Sequence, residues 1–243
     1  MKTYTSSADL KARARGALTG HYLTLSGAFI TLGILQYFIV APSSLLQLSP
    51  PTGIILYYAA NFALDLFFAI FQVGIAFLFL SNACGQPVNS GGLFTGFWNN
   101  PGKAIQIQLV PSLILLIPNV LPDILLSQFL ATAQRKWLLC WLIVSLIFLP
   151  LVVYVKILYS QVFFVMLDFP EMTARECLQQ SRRLMKGNKG RYLYLMLSFI
   201  PLTILGVLSC GIGLFYVYPY QEQTYANFYL DLIAQKQRAR ETA

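Results

Sequence analysis

The chain of 243 residues contains one histidine, four cysteines and nine acidic residues. His21 alone supports neither a histidine metal site nor the base of a Ser-His pair, so no metal and no catalytic constellation is expected. Cys84, Cys140, Cys177 and Cys210 stand singly, with no two at metal-ligand spacing, and read as small buried residues. A disulfide between Cys140 and Cys210 is the other reading. Charged residues make up 11% of the chain, too few to cover the surface of a soluble domain. The net charge of +8 comes without a basic domain or reader motif, which argues against a nucleic-acid partner. The segment GNKG at 187–190 lacks the spacing and the preceding strand of a phosphate-cradling loop, and no cofactor is expected. Apolar runs without strict alternation exclude a β-barrel.

What the sequence has is apolar length. Hydrophobic residues are 57% of it, and the mean hydropathy is +0.62. Runs of roughly 20 apolar residues cross a bilayer as helices. The expectation is an all-α, polytopic transmembrane helical bundle forming one membrane domain over 1–243. Spans are read near Tyr22–Ala41, Ile54–Ser81, Lys103–Val120, Trp137–Leu167, Tyr192–Ser209 and Ile212–Ala234. They make six spans in three hairpins, the last turning at Gly211–Gly213. Pro111 and Pro118 should bend the third span, and a separate short outer helix should start near Pro122. The first span, with no small-residue cleavage pattern at its end, is read as uncleaved.

Two basic amphipathic segments precede spans. Ser7–Gly20 sets Leu10, Ala14, Ala17 and Leu18 against Lys11, Arg13 and Arg15. Asp168–Tyr192 is read as a helix capped by Asp168, with Pro170 and Glu171 in its first turn and Gly187 as its stop. Its stripe is Ala174, Cys177, Leu178, Ser181, Leu184 and Met185. Both are expected as interfacial helices on the cytoplasmic side, with both termini inside. That topology leaves Arg135 and Lys136 outside, Lys156 within a span, and the other basic residues inside, including the tail Lys236, Arg238 and Arg240. The loop SSLLQLSPPTG belongs outside, whereas the Gly-rich loop holding Phe94, Phe97 and Trp98 belongs inside, its aromatics suited to the interface. Asp123 and Asp168 then fall on opposite sides.

Three times an inner segment leads into a pair of spans, giving units 1–81, 82–167 and 168–243. Gly20 and Gly187 hold matching places, near Asn100 in the middle unit, and Gln72-Val73 echoes Gln161-Val162. A threefold arrangement of hairpins is one reading; chance likeness among apolar segments is the other.

The third unit, with SRRLMKGNKGRYLYLMLSF, GIG at 211–213, Pro219-Tyr220 and ANFY at 226–229, resembles an uncharacterised bacterial membrane family, domain of unknown function 975. The opening LKARARGALTGHY is similar to that family's start. The resemblance implies a multi-span protein of the bacterial cytoplasmic membrane and no established activity. More distantly, the family resembles the membrane domain of some glycerophosphodiester phosphodiesterases.

Ionisable groups inside a bilayer are costly and therefore paired, cavity-facing or functional. Asp65, Lys156 and Glu222 are the candidates, one in the second span of each hairpin, and Lys156 has either acid as a partner. The polar run around Glu222, with Tyr220 and Asn227, must be buried in protein or line water, and Gln161 joins the same expected intramembrane polar site. Arg13, Arg15, Arg182, Arg183, Lys186 and Lys189 are candidate contacts for anionic lipid, or simply set the topology. The functional expectation is a non-enzymatic protein that binds or transports a small amphiphile or lipid in a polar intramembrane cavity. The alternative is an accessory or scaffold subunit with a membrane-protein partner, and a lipid-modifying enzyme comes third.

Overall fold

The computed structural model describes residues 5–42 and 52–241. Most of the loop expected outside, 43–51, and the side chain of Arg240 lie beyond what is described. Among the described residues every regular element is helical. Among those residues, five helical stretches are long and apolar enough to cross a membrane: Tyr22–Val40, Ile55–Ala83, Pro101–Thr132, Arg135–Asp168 and Lys189–Leu208.

Helix α1 (Ser7–Leu18) is capped by Ser6, whose side chain accepts from the Asp9 amide. It buries Leu10, Ala14 and Leu18. Gly20, at φ 88°, turns the chain into α2 (Tyr22–Val40). Helix α3 (Thr52–Ala83) then runs the other way and becomes the centre of the bundle. A 3-10 turn at Ser90–Phe94 and the short α4 (Thr95–Trp98) lie directly on it. Glycine makes that approach possible: a Cβ on Gly74 would stand 1.9 Å from the Leu93 carbonyl oxygen, and one on Gly96 would stand 2.0 Å from that of Ile70. Phe97 packs its ring 5.1 Å from Phe71, whereas Trp98 is left exposed.

Asn100, left-handed at φ 53°, opens α5 (Pro101–Thr132). This helix is continuous through Pro111, Pro118 and Pro122, so the separate outer helix expected from Pro122 does not form. Its neighbours supply the reason: α5 packs along α3 and α6, and packing of a long apolar helix outweighs the bonds that three prolines remove. Left-handed Ala133 ends it, and the chain returns in α6 (Arg135–Tyr159) and α7 (Val162–Asp168). The fourth apolar stretch, expected as one helix, is thus interrupted at Ser160-Gln161, and the Ser160 hydroxyl turns back to the Ile157 carbonyl.

Helix α8 (Ala174–Met185) starts later than the sequence suggested. Thr173, not Asp168, is its cap: the Thr173 side chain accepts from the Glu176 amide, and Glu176 accepts from the Thr173 amide at 2.8 Å. Pro170 and Glu171 stay outside the helix, and Asp168 ends α7 and accepts a bond from Tyr229 at 2.6 Å. Of the expected stripe, Cys177, Leu178, Ser181, Leu184 and Met185 are buried, Ala174 is half-buried, and Gln180 joins the buried face. Gly187, at φ 86°, makes the stop.

The last apolar block is also divided, into α9 (Lys189–Leu197) and α10 (Ile200–Leu208). Lys11 covers the break by donating to the Ser198 carbonyl at 3.1 Å, with its ammonium 4.3 Å from the Phe199 ring centre. The turn read at 211–213 is present, with Gly211 at φ 84°. Beyond it α11 (Leu214–Glu241) is a long helix that is not among the five apolar ones. It packs against α1, α2, α3 and α10 and buries Gln223, Thr224, Ala226, Phe228 and Tyr229 completely.

Candidate functional site

Polar residues recur at helical spacing along three of the apolar helices. On α3 they are Tyr57, Asn61 and Asp65; on α5, Gln108, Ser112, Asn119 and Asp123; on α6, Ser145 and Lys156. Each set falls on one face, and the three faces meet in a half-open cleft of about 710 Å³. Phe62, Leu115, Leu116, Leu149 and Val152 supply its apolar wall.

The charged groups in the cleft are exposed. Asp65 Oδ2 accepts from the Ser112 hydroxyl at 2.5 Å and from the Gln108 amide at 3.2 Å. Asp123 Oδ2 accepts from the Tyr58 hydroxyl at 3.0 Å. Pro118 and Pro122 line the same wall and cannot return the usual helical bond to the carbonyls of Ile114 and Pro118. The cleft therefore presents many acceptors and one ammonium. Lys156 shares it with Asp65, yet among the described residues no ion pair within 4.0 Å joins Lys156 to Asp65 or to Glu222; away from the cleft, Arg191 pairs with Asp231 at 2.7 Å.

Glu222 lies elsewhere, on α11, near Tyr192 and Tyr225. Tyr192 also meets Ser160, which accepts from the Gln161 amide at 2.9 Å. Gln161 is fully buried, and its Oε1 has no partner among the described residues. Tyr220 packs edge-on against Phe199 at 5.1 Å, and Asn227 donates to the Leu10 carbonyl at 3.4 Å. The six residues expected in one polar site thus divide between the cleft and a buried seam beside α11.

That seam holds the bundle together. Asn82 donates to Gln223 Oε1 at 2.6 Å and to the Ala17 carbonyl at 3.0 Å, and Gln223 donates to the Phe79 carbonyl at 3.3 Å. These bonds tie α1, α3 and α11 at one end.

The candidate lipid contacts lie at that end. Arg13 and Arg15 on α1, and Arg182, Arg183 and Lys186 at the end of α8, are exposed. Arg182 also bonds the Tyr159 hydroxyl, and Lys189 donates to the Tyr154 hydroxyl at 3.1 Å. Burial, with Arg15 beside it, lowers the Lys11 ammonium below its ordinary range. Bonds from Thr173 hold the Glu176 carboxyl below the usual carboxylate value. The four cysteines are free thiols, and Cys177 alone among them is buried.

Sequence reasoning missed the polar face of α5 in the cleft, Gln108, Ser112 and Asn119, and with it the charged residue Asp123. Breaking α5 at Pro122 moved it out of the span, although the spacing from Ser112 to Asn119 to Asp123 was a readable signal of a shared face.

Long apolar helices around a polar cleft define a class: an all-helical protein with several helices able to cross a membrane. The family model described as Protein of unknown function (DUF975) matches residues 1–236, and the chain belongs to that family. No curated protein and no solved structure matches it, so the more distant likeness to glycerophosphodiester phosphodiesterase membrane domains gains no support.

Proposed function

We propose that this chain is a multi-pass protein of the bacterial cytoplasmic membrane, with both termini cytoplasmic, that binds or passes a small amphiphile or lipid without catalysing a reaction. The observation that carries this reading is the cleft between α3, α5 and α6. Three exposed ionisable side chains, Asp65, Asp123 and Lys156, open into it from helices otherwise apolar enough for hydrocarbon. Charges at such a depth are tolerated where they face water, a ligand or one another. A cleft with a charged floor and a leucine wall suits a molecule with a polar head and an apolar tail.

In this reading α11 is the sixth span, its polar run shielded by α1, α2, α3 and α10. The basic residues Arg13, Arg15, Arg182, Arg183 and Lys186 face the cytoplasmic surface and attract anionic headgroups, at about 1 kcal/mol each. Lys189 contributes less because Tyr154 holds it. The order of one short helix and two long stretches recurs three times, with left-handed Gly20, Asn100 and Gly187 at the entries. We read that order as an internal repeat. A non-catalytic accessory subunit is the second reading, favoured by the openness of the cleft, which would seat a polar helix of a partner.

Native mass spectrometry of the purified protein with its copurified lipids tests the choice. A bound lipid or solute in the wild type, depleted in a folded Lys156→Met variant, supports the binding reading. A protein partner retained in its place, with no small ligand, supports the accessory subunit.

A further inference from the structure

The charge arrangement in the cleft specifies the amphiphile, an inference that rests on the proposed binding role. Helices α5 and α6 are antiparallel neighbours joined around Gln134. Ser112 and Lys156 are each 22 residues from Gln134, so they lie at one depth, and Asp65 is fixed to that depth by its bond to Ser112. Asp123 lies 11 residues nearer the tip, about 16 Å away along α5. At the Ser112 level a carboxylate on α3 and an ammonium on α6 therefore face one space without pairing.

Each has spare bonding capacity. Ser112 and Gln108 occupy Asp65 Oδ2, whereas Oδ1 accepts from none of the described residues. The Lys156 ammonium donates to none of them. An anion alone would satisfy Lys156 but stand beside Asp65, in a cleft with two carboxylates to one ammonium. A cation alone would satisfy Asp65 and leave Lys156 uncompensated in a layer of low dielectric. A group carrying both signs satisfies both walls.

We infer that the cleft takes a zwitterionic phospholipid whose headgroup bears an ammonium and a phosphate. The phosphate sits on Lys156 and the ammonium on Asp65 Oδ1, with the acyl chains leaving along Leu116, Leu149 and Val152. The primary ammonium of phosphatidylethanolamine is the fitting form, because it donates to Asp65 and to acceptors on the proline-bearing wall of α5.

The test is native mass spectrometry of the full chain, titrated with an equimolar mixture of phosphatidylethanolamine and phosphatidylglycerol of identical acyl chains. Wild type is expected to favour phosphatidylethanolamine about tenfold or more. Asp65→Asn should bring the two lipids to near parity while keeping a lipid bound. Lys156→Gln should lose both, and Lys156→Arg should regain the preference. Equal binding in the wild type, or a ratio unchanged in Asp65→Asn, would overturn this inference and leave amphiphile binding standing. Absence of any bound lipid in the wild type would remove both. Should Lys156→Gln fail to fold, Asp65→Asn and Lys156→Arg carry the test, with thermal unfolding confirming that each is native.

Discussion

On α3, Asp65 offers an exposed carboxylate to the cleft, while Gly74, further along the same helix, sits where a side chain does not fit. An alanine at Gly74 gains helix propensity of about 1 kcal/mol. Its Cβ would meet the Leu93 backbone, which cannot swing aside as a side chain does. The clash should win, so Gly74→Ala is expected to destabilise by about 1–3 kcal/mol, measured by thermal or detergent unfolding. Thr173→Ala should cost about 1 kcal/mol through loss of the α8 cap. The Glu176 half of that capping box is pH-dependent. Its carboxyl titrates below the ordinary value of 4.5 when folded, so its stabilisation is present above that pH and is lost as pH falls through the folded value. Unfolding followed between pH 6 and pH 3 should show this loss in the wild type and a smaller one in Glu176→Gln. Asp65 and Lys156 were legible in the sequence because a charge stands out within an apolar run. Gly74 was not, since nothing in α3 reveals that a turn fifteen or more residues later lies against it.

Among the elements, α8 shows how local and tertiary signals divide. Its buried stripe and its glycine stop were readable from periodicity, whereas the start was not, because Asp168 and Thr173 both offer capping side chains. The fold assigns Asp168 to Tyr229 and leaves the cap to Thr173. In the same way, prolines announced a broken α5 that packing keeps whole, and the interruption at Ser160-Gln161 came without any proline or glycine. The seam joining α1, α3 and α11 yields a sharper expectation. Gln223→Leu leaves the Asn82 amide with one acceptor fewer in a buried setting, a cost of about 1–3 kcal/mol. The double variant with Asn82→Leu should cost less than the sum of the single ones, and a double-mutant cycle in detergent measures the difference.

For the whole molecule the positions of the cysteines make the proposed topology accessible to experiment. Cys210 lies in the turn before α11, Cys84 follows α3 at the opposite end, and Cys177 is buried in α8. A membrane-impermeant thiol reagent added to intact cells should label Cys210, reach Cys84 only after permeabilisation, and reach Cys177 only after denaturation. Partial desolvation and nearby Asp168 raise the Cys84 thiol above its ordinary value, so its labelling should quicken markedly toward alkaline pH. Labelling of Cys84 in intact cells would reverse the assigned orientation. At this scale the sequence disclosed the apolar helices and their order, because length and hydropathy are local properties. It did not disclose that Glu222 and Lys156 belong to different places, because helix rotation is set by packing partners remote in sequence.

The most direct measurement is the structure of the wild-type chain in a nanodisc of bacterial lipid extract, resolved well enough to show headgroups. The account predicts an amphiphile in the cleft, with its polar head between Asp65 and Lys156 and its chains along α5 and α6. A closed cleft in which Asp65 and Lys156 bond directly to each other, with nothing between them, would contradict it.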